Sequence, residues 1–178
     1  VESAGISLTN SLDVINVKMN VPTLDDTMPD NERLVRAIKK QTGIKKVRMP
    51  YSVLRKISYV FRESNFEVQC VIRSTENDIF IYDVYKKDEK VVIGGLAIDI
   101  GTTTVSALLI DMKSGEILGK ASSGNGQIRY GADVINRIIE SMKPGGSEKL
   151  QKAVIQETIN PMIAQMCKSA GIPASHIY

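Results

Sequence analysis

Partial alternation of apolar and polar side chains in "LDVINVKMNV" (residues 12–21) predicts a strand, after which the period lengthens. In "MPDNERLVRAIKKQTG" the residues Leu34 and Ile38, joined by Val35 and Ala37, recur at helical spacing. Asp30 or Thr27 suits the N-cap of that helix and Gly43 its stop. "PYSVLRKISYVFRES" predicts a further helical segment, entered near Pro50 and divided into two short helices at Ser58. Period two returns in "FEVQCVIRS" and "DIFIYDVYKK", two strands joined by the turn-forming "TEND". The first half thus reads as a β-α-α-β-β unit that ends in the charged linker "KKDEK" (residues 86–90).

The second half opens with three strand-like runs, "VVIGGLAIDIG", "TTVSALLIDM" and "EILGKASS", the last two separated by the turn "KSGE". Three antiparallel strands in succession make a meander. "YGADVINRIIESM" then places Val134, Ile135, Ile138, Ile139 and Met142 on one helical face. "KPGG" interrupts, and "SEKLQKAVIQETINPMIAQMCKSAG" predicts a longer helix kinked at Pro161, which lacks a backbone donor. The fold class expected is α/β (α+β), in two modules of residues 1–90 and 91–178.

The 178 residues are 43% hydrophobic, enough for one large domain or two small ones. No apolar run approaches the ~18–20 residues that span a bilayer, so no membrane partner is expected. The opening "VESAGISLTN" has neither the basic region nor the apolar core of a signal peptide, and it lacks an initiator Met. At the other end Ile177 and Tyr178 look like the first residues of a new strand, so the chain reads as a fragment. Cys70 and Cys167 are too few and too far apart for a thiolate cluster or a zinc site. Both read as small core residues of a reduced, cytoplasmic protein. With His176 the sole histidine, His-based metal or triad chemistry has no basis.

The chemistry concentrates in "GLAIDIGTTTVSALLID" (residues 95–111), where Asp99, Gly101 and Thr102, Thr103 and Thr104 interrupt two apolar runs. Gly101 permits a tight turn or close approach of backbone to a ligand, and the threonines add hydroxyls to its backbone N–H groups. Such a concave donor set suits an oligophosphate. Asp99 would repel a bare phosphate, and fits there only as a holder of Mg²⁺ through the ion's waters. The competing reading is an ordinary hairpin, with threonines chosen for β-propensity and Asp99 as a turn former. Neither a GxxxxGK[ST] loop nor a helix-opening GxGxxG is present.

"AIDIGTTTVSALLIDMKSGEIL" resembles the first phosphate-binding hairpin of the sugar kinase, heat-shock chaperone and actin superfamily of ATPases. "GNGQIRYGADVINRI" (residues 124–138) resembles a narrower family, the ATP-dependent reductive activators of corrinoid proteins. That family has Asn-Pro-Gln where this chain has Asn125-Gly126-Gln127, a change expected to loosen the loop. The resemblance implies a small middle domain over residues 1–90. Over residues 91–178 it implies the truncated N-terminal part of an actin-like (ribonuclease H-like) ATPase domain. It further implies ATP and Mg as ligands of a full-length cytoplasmic protein that reduces a corrinoid from Co(II) to Co(I). In that family the electron comes from a [2Fe-2S] domain with four cysteines, which this sequence does not contain. Asp99 would carry catalysis and Mg²⁺, and Gly101, Thr102, Thr103 and Thr104 the phosphates. The fragment alone is expected to hold half a cleft and no complete active site. An actin-like scaffold or filament protein is the alternative function. An activator with cluster-binding cysteines inside its ATPase fold is a third, and no such spacing is present.

Charge adds a partner. Residues 33–62 hold ten Lys or Arg and no Asp or Glu, which leaves 13 basic against 20 acidic residues elsewhere. This polarity suits either a solvated helix face or a docking surface for an acidic corrinoid protein on Arg33, Arg36, Lys39, Lys40, Lys45 and Lys46. Nucleic acid is not expected, for want of a GxxG loop or interleaved aromatic residues. A homodimer stays open for the full-length protein.

Overall fold

The computed structural model describes residues 12–178, and the opening stretch read for a signal peptide lies outside them. The chain forms two units that meet in sequence between Ile93 and Gly94.

In the first unit, β1 (Leu12–Lys18), β2 (Lys46–Arg48), β3 (Glu67–Ser74) and β4 (Asp78–Lys86) form one sheet in the order β1-β3-β4-β2. Only the β2–β4 pair is parallel. Helices α1 (Asp30–Thr42) and α2 (Tyr51–Glu63) bury Leu34, Ile38, Val53, Ile57 and Phe61 against Val68, Cys70, Ile72, Ile79 and Ile81. The pairing of β3 with β4 slips at Tyr82, since Ile72 faces Ile81 whereas Val71 faces Asp83. That extra residue shifts the parity of β4, so Ile79, Ile81 and Val84 all reach the core.

Four expectations change here. The order is β-α-β-α-β-β, because Lys46–Arg48 pairs with β4 as an added edge strand. Pro29, and neither Asp30 nor Thr27, occupies the N-cap of α1, and its carbonyl accepts the first helical bond from Arg33 N–H. The Asp30 carboxylate is engaged instead by Arg62 of α2 at 2.8 Å. Ser58 does not divide α2, which runs unbroken for 13 residues. The exposed run 86–90 is not a loose linker. Gln69 Nε2 lies 2.7–3.0 Å from the carbonyls of Lys86, Lys87 and Glu89, and Lys87 pairs with Glu67. Lys18 joins that pair, and the two ammonium groups hold the Glu67 carboxyl down at about 2.

In the second unit, β5 (Gly94–Ile100), β6 (Thr104–Asp111) and β7 (Ile117–Gly124) form the antiparallel meander. One face of it, with Val105, Ala107 and Leu109, packs on Val154, Ile159, Met162, Met166 and Cys167. Gly119 of β7 lies close under α5 (Asn160–Ala170): a Cβ there would stand 3.2 Å from that of Met166. The predicted kink at Pro161 takes a particular form. Helix α4 (Gly146–Val154) widens into a π-helical turn, Ile155–Ile159, and α5 then starts with Pro161 in its first turn. A wide turn makes room for the ring and places the missing donor where the hydrogen-bond register changes.

Helix α3 (Val134–Ser141) buries no residue, and Val134, Ile135, Ile138, Ile139 and Met142 are all exposed. Ile177 bridges Gly94 in parallel, and Tyr178 N–H donates to Gly94 O at 3.0 Å. Cys70 and Cys167 are free and buried, and burial pushes the Cys70 thiol up to about 12. No helix among the described residues is long and apolar enough to cross a membrane.

Candidate functional site

The β5–β6 turn is held by its carbonyls. Gly101 N–H donates to Thr104 O at 2.9 Å, and a Cβ on Gly101 would stand 2.7 Å from that oxygen, so only glycine closes this turn unstrained. The other three carbonyls bond to the segment after β7. Asn125 Nδ2 donates to Gly101 O at 2.9 Å, Asn125 N–H to Thr103 O at 2.8 Å, and Arg137 Nη2 to Thr102 O. The backbone N–H groups of Thr102 and Thr103, and the hydroxyls of Thr102, Thr103 and Thr104, have no partner among the described residues. All three threonines are exposed. The turn therefore has tied acceptors and untied donors, a polarity that suits anionic oxygen.

Asp99 lies two residues before Gly101 and pairs in register with Ser106, which in turn faces Ser122. Its carboxylate is exposed and makes no bond among the described residues. This row belongs to the sheet face opposite the helices, over a shallow groove of about 470 Å³ lined by Ala97, Asp99, Ser106, Leu108 and Lys120. Among the described residues no three His, Cys, Asp or Glu converge as a direct metal site.

Sequence reasoning missed what holds the turn. Asn125, 1% exposed, caps the 3-10 turn Gly126–Arg129 by accepting Gln127 N–H at 3.0 Å while donating to Gly101. Arg137 on α3 bonds Gly131 O through Nε at 2.9 Å and Gln127 Oε1 at 3.2 Å, besides Thr102. Asp133 caps α3 through Asn136 N–H, which keeps its carboxyl below the usual range. The buried polar residue between two glycines was the available signal.

Nor is the loop loosened by Gly126. Its N–H donates to Thr158 Oγ1 at 3.0 Å, and that hydroxyl donates to Ala153 O at 2.8 Å, beside the π turn. A Cβ on Gly126 would lie 2.8 Å from Ala153 O. Gly126→Pro should therefore destabilise the second unit by about 1–3 kcal/mol, because it removes a donor to a buried hydroxyl. Chemical denaturation of the variant checks this, and an unchanged midpoint would contradict it.

The basic stretch is less uniform than its composition. Arg33 is 5% exposed and pairs with Asp26 at 2.6 Å, so it belongs to the interior and not to a docking surface. Arg48 pairs with Asp78, Lys56 with Asp83 and Arg62 with Asp30. Arg36, Lys39, Lys40, Lys45 and Lys46 form no ion pair among the described residues, although Arg36 lies in the field of Asp26 and Lys46 in that of Asp78. They cluster along α1, the loop after it and the start of β2.

Comparison with known proteins follows the same division. Residues 1–91 match the family model of the RACo linker region, and residues 94–178 that of the RACo middle region. The chain belongs to the RACo family. It is similar to a solved structure of a reductive activator for corrinoid, iron-sulfur protein, with a TM-score of 0.74 and 34% identity. That match covers 98% of this chain and 28% of the RACo relative. The corrinoid activation enzyme RamQ of Eubacterium limosum is 39% identical over 130 residues, 72% of this chain and 21% of RamQ. The chain thus spans about a quarter of the length of these relatives.

Proposed function

We propose that this chain is part of an ATP-dependent reductive activator of a corrinoid protein. In this reading the β5–β6 turn forms half of the phosphate site of an actin-like ATPase. Support for the role comes from the family and from relatives whose names denote corrinoid activation. Support for the nucleotide comes from the turn's polarity: its carbonyls are tied to Asn125, Arg137 and Gly101, while the N–H groups of Thr102 and Thr103 and the threonine hydroxyls have no partner among the described residues. The N–H and hydroxyl groups of Thr102 and Thr103 would hold phosphate oxygens, and Asp99 would hold Mg²⁺ through water. Bound ATP would supply the free energy of hydrolysis to an uphill one-electron reduction of cob(II)amide to cob(I)amide. The electron needs a cluster that two buried cysteines cannot ligate, so a [2Fe-2S] centre belongs elsewhere in the longer protein. Free thiols suit a reducing cytoplasm.

The test uses full-length protein, a corrinoid protein from the same organism and a low-potential reductant. Cob(I)amide absorbance should rise only with hydrolysable ATP and in step with phosphate release. Reduction at the same rate without ATP would overturn the proposal.

A further inference from the structure

We infer that the loop between β1 and α1, with the cleft beside it, is the seat for an acidic, apolar-bearing segment of the partner protein. This inference rests on the activator reading above. Loop residues 19–29 present Leu24 fully exposed and Val21 half-exposed. This loop is fixed from below by one guanidinium. Arg33 Nη1 donates to Asn20 O at 3.2 Å and to Asp26 Oδ2 at 2.6 Å, and Nη2 donates to Met28 O at 3.1 Å. Both feet and the middle of the loop hang on a residue that is itself buried. Asp26 N–H closes a turn on Thr23 O, and Met28 N–H bonds back to Asp26 Oδ1. A loop ordered before binding loses little entropy when a partner covers it.

The cleft next to it measures about 460 Å³, with Met19, Met28 and Ala37 for apolar lining and Lys18, Arg36 and Lys40 for cationic lining. Asp26 is the sole carboxylate lining it, and Arg33 already neutralises that charge. Arg36 and Lys40 stand one helical turn apart and form no ion pair among the described residues, although Arg36 also lies in the field of Asp26. Apolar lining beside Arg36 and Lys40, which form no ion pair, selects a ligand with the complementary pattern: an apolar side chain flanked by Asp or Glu. A nucleic acid would want stacking faces, and no aromatic residue lines the cleft. On the activator reading the occupant is the corrinoid protein, which would meet Leu24 and Met28 by contact and Arg36 and Lys40 by steering.

The experiment measures association of the full-length protein with its cob(II)amide-loaded corrinoid protein by biolayer interferometry at low and high salt. Leu24→Ser should weaken binding about tenfold, mainly by faster dissociation, with an unchanged melting temperature because the side chain is wholly exposed. Arg36→Glu with Lys40→Glu should slow association and flatten its salt dependence. Arg33→Lys keeps the charge but loses the three-point hold, and should weaken binding without altering that salt slope. If the wild type binds and Leu24→Ser binds within twofold of it, the seat is overturned while the activator reading stands. Absence of wild-type binding would overturn both. If Leu24→Ser instead abolishes self-association, or binding to phosphatidylserine vesicles or RNA, with the corrinoid complex intact, the loop serves another partner and the proposal is overturned.

Discussion

Full-length protein carrying Asp99→Asn should melt with the wild type yet hydrolyse ATP at least about 100-fold more slowly. The two halves of that expectation come from different observations. Asp99 is exposed and bonds to nothing among the described residues, so an isosteric amide disturbs neither the sheet nor the turn. On the proposed reading its charge would hold the water shell of a divalent cation, which an amide cannot do as a carboxylate does. Thr102→Val and Thr103→Val should each weaken nucleotide binding by about 1–3 kcal/mol, the range for a lost hydrogen bond to a charged group. Titration with ATP would measure this. Wild-type hydrolysis in Asp99→Asn would return the turn to an ordinary hairpin.

Asn125→Ala makes the opposite separation, since stability should fall along with binding. Its side chain donates to Gly101 O and accepts Gln127 N–H in a place that is 1% exposed. Truncation leaves one buried acceptor and one buried donor unsatisfied, at about 2–4 kcal/mol in total. Denaturant unfolding should show that loss in the second unit, and hydrogen exchange should quicken at Gln127, whose N–H loses its acceptor. Asn125→Asp is expected to do no better: it keeps the acceptor for Gln127 but turns a carboxylate oxygen toward the Gly101 carbonyl. If Asn125→Ala matched the wild type in stability, the clamp described above would not be what fixes the turn.

How far these features were legible from the chain depends on the range of the interactions behind them. The meander and the β3–β4 pair stand out because alternation and turn residues are local signals. Likewise the resemblance of "YGADVI" to corrinoid activators agrees with the family found for the chain. The strand Lys46–Arg48 was hidden because two of its three side chains are charged and its partner, β4, comes 30 residues later. Arg33 counted as surface charge because nothing local shows that Asp26, before the helix, folds back onto it. Ser58 looked like a break, yet its carbonyl merely accepts Arg62 on the way to Asp30. Gly126 suggested slackness, since glycine's freedom is a property of the residue and the Thr158 hydroxyl that restrains it lies 32 positions away. The roles of Asp99 and the threonines rest on which groups lack partners, a distinction that only folded coordinates make.

Arg137 has a mechanical consequence. It sits on α3, a two-turn helix whose apolar residues all face outward, and its guanidinium grips the peptide between Thr102 and Thr103. A hydrogen bond fails within a few tenths of an ångström of stretch or a modest tilt. Displacing α3 by more than that would release the Thr102 carbonyl, so one guanidinium ties the place of the helix to the polarity of the turn.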